Sequence, residues 1–409
     1  MNDILWVSAY VPYDTVPHAG GKNHNFYLKS FHKKNKKIKL ISISSYEERD
    51  RIDLDDYGIT NYILYRSSKK EPFFKKLKRY VLRHLYRISL FSDGLHYDNY
   101  KDLCDVYRMI KKVKADEGYD PKIIILQWTE MCVGIPKIKK IYPNAKFVII
   151  EEDIYFLGAY RRWKNSKGLF NRLLSFWDYV KIKRNEKKCL EMADLVVVNN
   201  KKDYLLLEKN NVFCSKMVAV PFFSDMQHIN RKCCSKDILF YGAMCRSENY
   251  LSAIWFIENV FPKIEPLGFR FIVVGNKPHK SLMKYDNRKT ICITGFVDEV
   301  SSYFENSLCL VAPLVAGAGI KIKILEAMSS GLPVLTNDIG IEGIYAKDGK
   351  DFFFCKTPED YKKRIVELAN DTELASQMGL NAKEFIKTNF NYLQSADDLY
   401  NKVSLLVRD

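Results

Sequence analysis

Short runs of aliphatic and β-branched residues recur along the chain, separated by longer stretches in which apolar positions return every three or four residues. Ile4–Val7, Ile38–Ile43, Ile123–Leu126, Phe147–Ile150, Leu195–Val198 and Met217–Val220 are continuous apolar runs, the pattern of strands buried on both faces. Between them the spacing predicts helices near residues 23–35, 101–117, 171–192 and 202–209. That alternation predicts parallel sheets built from strand–helix–strand units. After Pro221 the pattern lapses into a polar stretch, Ser224 to Lys236. It restarts with Ile238–Tyr241, a helix over 249–264, Phe271–Val274, Ile291–Ile293, Leu308–Val311, a helix over 320–330 and Val334–Thr336. The restart predicts a second α/β domain, with the linker near 221–236 and domains at 1–225 and 226–388. Helices over 358–370, 372–388 and 392–407 close the chain. Two open α/β domains in series predict a central cleft beyond the carboxyl ends of their strands, where such folds bind ligands.

The segment Ala318 to Pro333 carries the most chemistry. Gly317 and Gly319 lead into a helical pattern that stops at Gly331 and Pro333. Ile322, Ile324, Leu325, Ala327 and Met328 are apolar on nearly every side, so the helix is expected to be buried. Lys321, Lys323 and Glu326 then need a reason, because burying unpaired charge is expensive. At about 100° per residue, Gly319, Lys323 and Glu326 share one stripe. One reading is an ordinary i,i+3 ion pair on a solvent face. The other puts an anion at the helix N-terminus and Lys323, and a hydroxyl-rich group near Glu326.

This segment, read from Pro313 to Gly343 through Leu325-Glu326-Ala327-Met328, Ser330-Gly331-Leu332-Pro333-Val334 and Gly340-Ile341-Glu342-Gly343, resembles the nucleotide-sugar motif of the family 4 (group 1) glycosyltransferases. The resemblance implies the GT-B fold, two Rossmann-like doubly wound domains facing a central cleft, with residues 389–409 forming a helix that crosses back to the first domain. It implies a retaining, metal-independent transfer of a sugar from a UDP- or GDP-sugar to a hydroxyl of a glycan or lipid-linked acceptor, in cell-surface polysaccharide synthesis. The donor would be held by Gly242, Arg246, Gly295, Phe296, Val297, Gly317, Ala318, Gly319, Ile320 and Glu326. Lys323, helped by Lys321, would meet the charge on the departing diphosphate. Where many relatives carry an arginine and a lysine that clamp the diphosphate, this chain has Ala243 and Asn249. Ala318 stands where the usual motif has a glutamate.

In the first domain the resemblance singles out Gly20 and Gly21, between the first strand and the first helix, beside the donor phosphates and the acceptor. It also singles out the acids that end the strand Phe147–Ile150. There Glu152 and Asp153 stand where relatives carry His-Asp, and either could orient an acceptor hydroxyl or act as a base. Glu342 is expected to brace its loop. The histidines show no metal-ligand spacing and no paired-acid signature stands out, so no metal and no other cofactor is expected.

Apolar content of 47% beside 28% charged residues describes a globular chain. No run approaches about 18 apolar residues, and the N-terminus lacks a signal-peptide pattern. The ten cysteines lack Cys-x-x-Cys spacing, which suggests reduced thiols and a cytoplasmic protein. Charge then sharpens the picture. Residues 1–230 hold 42 Lys/Arg against 27 Asp/Glu, the remainder 23 against 22. The first domain therefore carries nearly all of the net +16. Its densest segment, Lys69 to Arg87, interleaves cations with Phe73, Phe74, Leu77, Leu82 and Leu85, a pattern suited to an anionic membrane surface. The expected partners are thus a nucleotide sugar, a glycan or lipid-linked acceptor and the inner face of the membrane, with no nucleic acid. A sugar-nucleotide epimerase on the same fold, a catalytically impaired partner subunit and a charge-driven nucleic-acid binder are the alternatives.

Overall fold

The structure, a computed structural model, describes residues 3–66, 73–89, 95–231, 235–317 and 319–407. The chain divides into two units, residues 1–222 with 392–409, and residues 223–391. In the first, the strands are β1 (Ile4–Ser8), β2 (Ile38–Ser45), β3 (Thr60–Arg66), β4 (Ile123–Gln127), β5 (Lys146–Glu151), β6 (Leu195–Val198) and β7 (Lys216–Val218). They form one parallel sheet in the order β3-β2-β1-β4-β5-β6-β7. Leu5 and Val7 enter the core on one face of the sheet, Ile4 and Trp6 the core on the other. Burial on both faces is why these strands read as unbroken apolar runs. Strand order reverses between β1 and β4, whose ends Ser8 and Gln127 lie in register. Loops diverge at such a switch point and leave room for a ligand.

The C-terminal helix Tyr392–Leu405 belongs to the first unit. Ala396, Leu399 and Val403 join the core beside Leu28 and Phe31 of the helix Ala19–Lys34, and Tyr400 meets Phe31 edge to face. Its Ser395 Oγ accepts the Val220 amide at 2.8 Å, tying the helix to the end of the first unit's main run.

The second unit repeats the plan. Strands β8 (Asp237–Tyr241), β9 (Arg270–Val274), β10 (Ile291–Gly295), β11 (Cys309–Ala312), β12 (Val334–Thr336) and β13 (Phe353–Phe354) are parallel in the order β10-β9-β8-β11-β12-β13. Their order reverses between β8 and β11.

Three departures from the sequence pattern have physical causes. Strand β3 was not anticipated because it is a half-exposed edge strand in which polar and aromatic residues are mixed. The helix expected over 249–264 stops at Asn259, and two 3-10 turns follow, Phe261–Lys263 and Glu265–Leu267, each with a proline, Pro262 or Pro266, in its first turn. Proline cannot donate the backbone bond a continuing helix needs. The first helix starts at Ala19, so Gly20 and Gly21 lie in its first turn rather than in a loop ahead of it.

Past their ends, β8 and β9 stay linked, Gly242 N donating to Val274 O and Met244 N to Asn276 O, both at 3.0 Å. The backbones cross so closely that a Cβ on Gly275 would sit 1.6 Å from Gly242 O. Gly275→Ala is therefore expected to destabilise the second unit by about 3 kcal/mol, the upper part of the overpacking range. Urea unfolding reads this directly, and an unchanged midpoint would show that the crossing relaxes at no cost.

Candidate functional site

The helix Ile322–Ser330 follows a turn made of Gly317 (φ +140°) and Gly319 (φ +68°), conformations that favour glycine. Its N-cap is Lys321, whose side chain does not cap the first-turn amides. It turns back instead, Nζ donating to Gly319 O at 2.5 Å and lying 3.7 Å from a Glu342 carboxylate oxygen. Glu342 thus braces the turn through Lys321. Residues Ile324 to Ser330 are buried, and Gly331 (φ +77°) ends the helix.

Lys323 is the unusual group. Its Nζ donates to Asn249 Oδ1 at 2.6 Å and lies 4.9 Å from the centre of the Phe240 ring. Burial around the ammonium pushes its pKa down to about 7, and the nearby Arg246 and Lys321 push the same way against Glu248 and Glu326. A Cβ on Gly242 would come 2.8 Å from that Nζ and 3.1 Å from Asn249 Nδ2. The glycine at the end of β8 is what leaves room for the cation there. Glu326, one turn along, is 5% exposed and accepts the Ser224 amide at 3.4 Å. An ion pair on a solvent face is excluded by that burial.

Asn249 has a legible purpose. It occupies the position where many relatives carry a clamp lysine, and here its amide ties Lys323 to the β8 turn, Nδ2 donating to Ala243 O at 2.9 Å. Arg246, at the N-cap of the helix Ser247–Asn259, is paired with Glu248 and largely exposed. Gly295 has φ +75° at the end of β10, with Phe296 exposed and Val297 half-buried after it. Ile320 is half-buried. Ala318 lies outside the described residues.

In the first unit the acids after β5 separate into three environments. Glu151 is buried, accepts the Thr129 hydroxyl, and is pushed up to about 8 by burial. Asp153 is exposed. Glu152 lies between them in a cage of three side-chain amides: Asn23 at 3.1 Å, Gln127 at 2.6 Å and Asn199 at 2.8 Å all donate to it. Burial pushes it up to about 7 against those bonds. Gly20 adjoins this carboxylate, since a Cβ there would meet Trp128 Nε1 at 3.5 Å and Glu152 Oε2 at 3.6 Å. Gly21 has a different cause, because a Cβ on it would press to 2.5 Å from Val16. Trp128 holds a left-handed backbone (φ +70°), a strained conformation for a large residue, and its ring meets Tyr10 and His24 edge to face.

Asn23, Gln127, Trp128 and Asn199 were not singled out from sequence, and Asn249 stood out only as the missing clamp lysine. The available signal was a polar residue just past the last apolar position of a strand, as at Gln127 after Ile123–Leu126 and Asn199 after Leu195–Val198. Among the described residues no group of three or more His, Cys, Asp or Glu could hold a metal ion, and no disulfide joins any two of the eight described cysteines.

Residues 235–371, most of the second unit, match the family of group 1 glycosyl transferases. Over that segment the chain is similar to the group 1 glycosyltransferases. The chain is 22% identical over 296 residues to an uncharacterized 44.6 kDa protein in the cps region of Klebsiella pneumoniae, covering 69% of this chain and 74% of that one. Its fold is similar to that of a sucrose-phosphate synthase from Thermosynechococcus elongatus (TM-score 0.71, 12% identity, 99% of both chains). It is also similar to HepE of Anabaena in complex with UDP (TM-score 0.68, 11% identity, 98% of this chain and 100% of that one). Both are GT-B folds, and this chain shares that fold.

The desolvated ammonium makes the protein's stability depend on pH with a definite sign. Between about pH 7, where folded Lys323 titrates, and 10.5, where a free lysine does, the unfolded chain holds a proton that the folded one has released. The unfolding free energy contributed by this group therefore rises with pH across that window. Denaturant melts of wild type and Lys323→Met between pH 7 and 10 are expected to diverge in slope, with wild type gaining more. Parallel curves would mean that the ammonium is not buried.

Proposed function

We propose that this glycosyltransferase moves a sugar from a UDP- or GDP-sugar to a hydroxyl of a glycan or lipid-linked acceptor, with retention at the anomeric carbon and without a metal, in cell-surface polysaccharide synthesis at the anionic inner face of the membrane. The observation that carries this reading is the pair Lys323 and Glu326. One is a cation held at an uncapped helix start beneath a glycine, the other a buried carboxylate one turn on. A nucleoside diphosphate has the matching chemistry, anionic at one end and carrying vicinal hydroxyls at the other.

As the bond from the anomeric carbon to the diphosphate breaks, negative charge grows on the leaving oxygen. Lys323 and the first-turn amides meet that charge without having to reorganise. Protonation of Lys323 is favoured once the anion is present, because its depressed pKa reflects burial that the nearby carboxylates of Glu248 and Glu326 do not offset. Glu326 accepts hydrogen bonds from ribose hydroxyls. The acceptor oxygen forms the new bond, and its proton leaves on the departing phosphate, as the family resemblance implies. Glu152, fixed by three amides, is the group we assign to orient an acceptor hydroxyl. The UDP bound by HepE, a structure of the same fold, supports a uridine donor, and the cps-region relative supports a polysaccharide product.

Glu326→Ala is expected to weaken UDP binding by about 1.5–3 kcal/mol, the worth of a charge-assisted hydrogen bond. Lys323→Ala is expected to lower turnover more than affinity, since its charge matters most as the diphosphate departs. Calorimetric titration with UDP, GDP and ADP, followed by turnover assays, separates these effects. Unchanged nucleotide affinity in Glu326→Ala would remove the residue from the site, and nucleotide binding without any transfer would indicate an impaired relative. The anomeric configuration of the product, read by proton NMR, tests retention.

A further inference from the structure

The helix Phe73–Ile88 of the first unit is attached to the protein by its polar side. Arg83 Nε donates to Asp98 at 2.8 Å and Arg87 Nε to Asp178 at 2.7 Å. Lys181, whose ammonium is buried, donates to the carbonyls of Tyr86 at 3.0 Å and Arg87 at 3.3 Å and so closes the end of that helix. The apolar stripe is what remains outside: Phe74 is 81% exposed, and Leu77, Val81 and Leu85 follow at three- and four-residue spacing. A helix folded onto an aqueous protein ordinarily does the reverse.

The helix to which it is tied, Leu169–Leu190, behaves alike along its first half. Leu169 and Phe170 are 77% and 73% exposed, and Leu173, Phe176 and Val180 continue the stripe. Aromatic residues flank it, with Trp163 stacked on Tyr179 at 5.8 Å and 4.9 Å from Phe176, and Lys164 above the Trp163 ring. Rings with one polar edge beside lysines suit the headgroup layer of a bilayer. Among the described residues no helix is long and apolar enough to cross a membrane.

We propose that these two outward apolar stripes form a lipid-docking surface, on which the first unit rests against an anionic bilayer with Phe74, Leu77, Leu169 and Phe170 in the interface. The inference gives residues to the membrane placement stated under Proposed function and rests on that reading. Charge selects the occupant. Phe73–Ile88 holds six Lys/Arg and no acid, Tyr155–Lys164 three and none, and Leu169–Leu190 six and two. A second copy of the chain would bring the same positive charge against itself, whereas anionic headgroups neutralise it and the acyl region receives the exposed rings.

The experiment is co-sedimentation of the full chain with vesicles of phosphatidylcholine alone or mixed with phosphatidylglycerol, across a salt series, with UDP affinity measured in parallel. Binding is expected only with the anionic lipid and is expected to fall with salt. The double substitutions Phe74→Ser/Leu77→Ser and Leu169→Ser/Phe170→Ser are each expected to lower partitioning by at least about tenfold while circular dichroism and UDP affinity stay unchanged. Vesicle binding that ignores lipid charge, or that survives both double substitutions, overturns the proposal. So does self-association in light scattering that those substitutions abolish, because it gives the face to a second copy. Lipid binding of the expected kind by a chain that transfers no sugar would keep the surface and refute the function proposed above.

Discussion

A lysine ammonium tucked against a ring and an amide, on a half-buried side chain, is the constraint around which the second unit is arranged. Lys323 sits on a helix whose other faces are core, so its side chain can leave only toward the end of β8. There a glycine makes room, Asn249 accepts a hydrogen bond, and Phe240 offers the face of a ring. Each is a partial substitute for water and none is a full counter-ion, which is why the pKa falls to about 7. Replacing the clamp lysine by Asn249 is consistent with this economy: a second cation would deepen the repulsion already exerted by Arg246 and Lys321, whereas an amide positions the first.

The first unit treats a carboxylate in the same manner. Glu152 is surrounded by three amide donors from three different strand ends or helices, Asn23, Gln127 and Asn199, so its orientation is fixed from several directions without any opposing charge. Its neighbour Glu151 turns into the core and Asp153 to solvent, so the three consecutive acids occupy three different environments and Glu152 alone is half-buried. The strained backbone of Trp128 at the adjoining strand end belongs to the same corner, at the point where the strand order reverses.

Much of this was readable in the sequence, for identifiable reasons. Strands buried on both faces leave unbroken apolar runs, so β1, β4, β5, β6, β8, β9 and β11 stand out, whereas the half-exposed edge strand β3 and the two-residue β13 leave no such trace. Lys323 and Glu326 stood out because charge inside an apolar helix contradicts its surroundings. The amides that hold Glu152 did not, since asparagine and glutamine at strand ends are common and their partners lie far away in sequence, and Asn249 was legible only as an absent lysine, not as the partner of Lys323. Gly20 and Gly21 looked like one motif, yet only Gly20 adjoins the carboxylate, while Gly21 is explained by its packing on Val16. That distinction depends on distances no spacing encodes.

The central claim, that the buried ammonium of Lys323 receives a diphosphate, is tested most directly by counting protons. UDP titrated into the protein at pH 8 in buffers of different ionisation enthalpy gives the number taken up on binding. A lysine poised near 7 is mostly neutral at that pH and regains its proton beside the anion. The account predicts uptake approaching one proton in wild type and none in Lys323→Met; equal proton counts in the two proteins would contradict it.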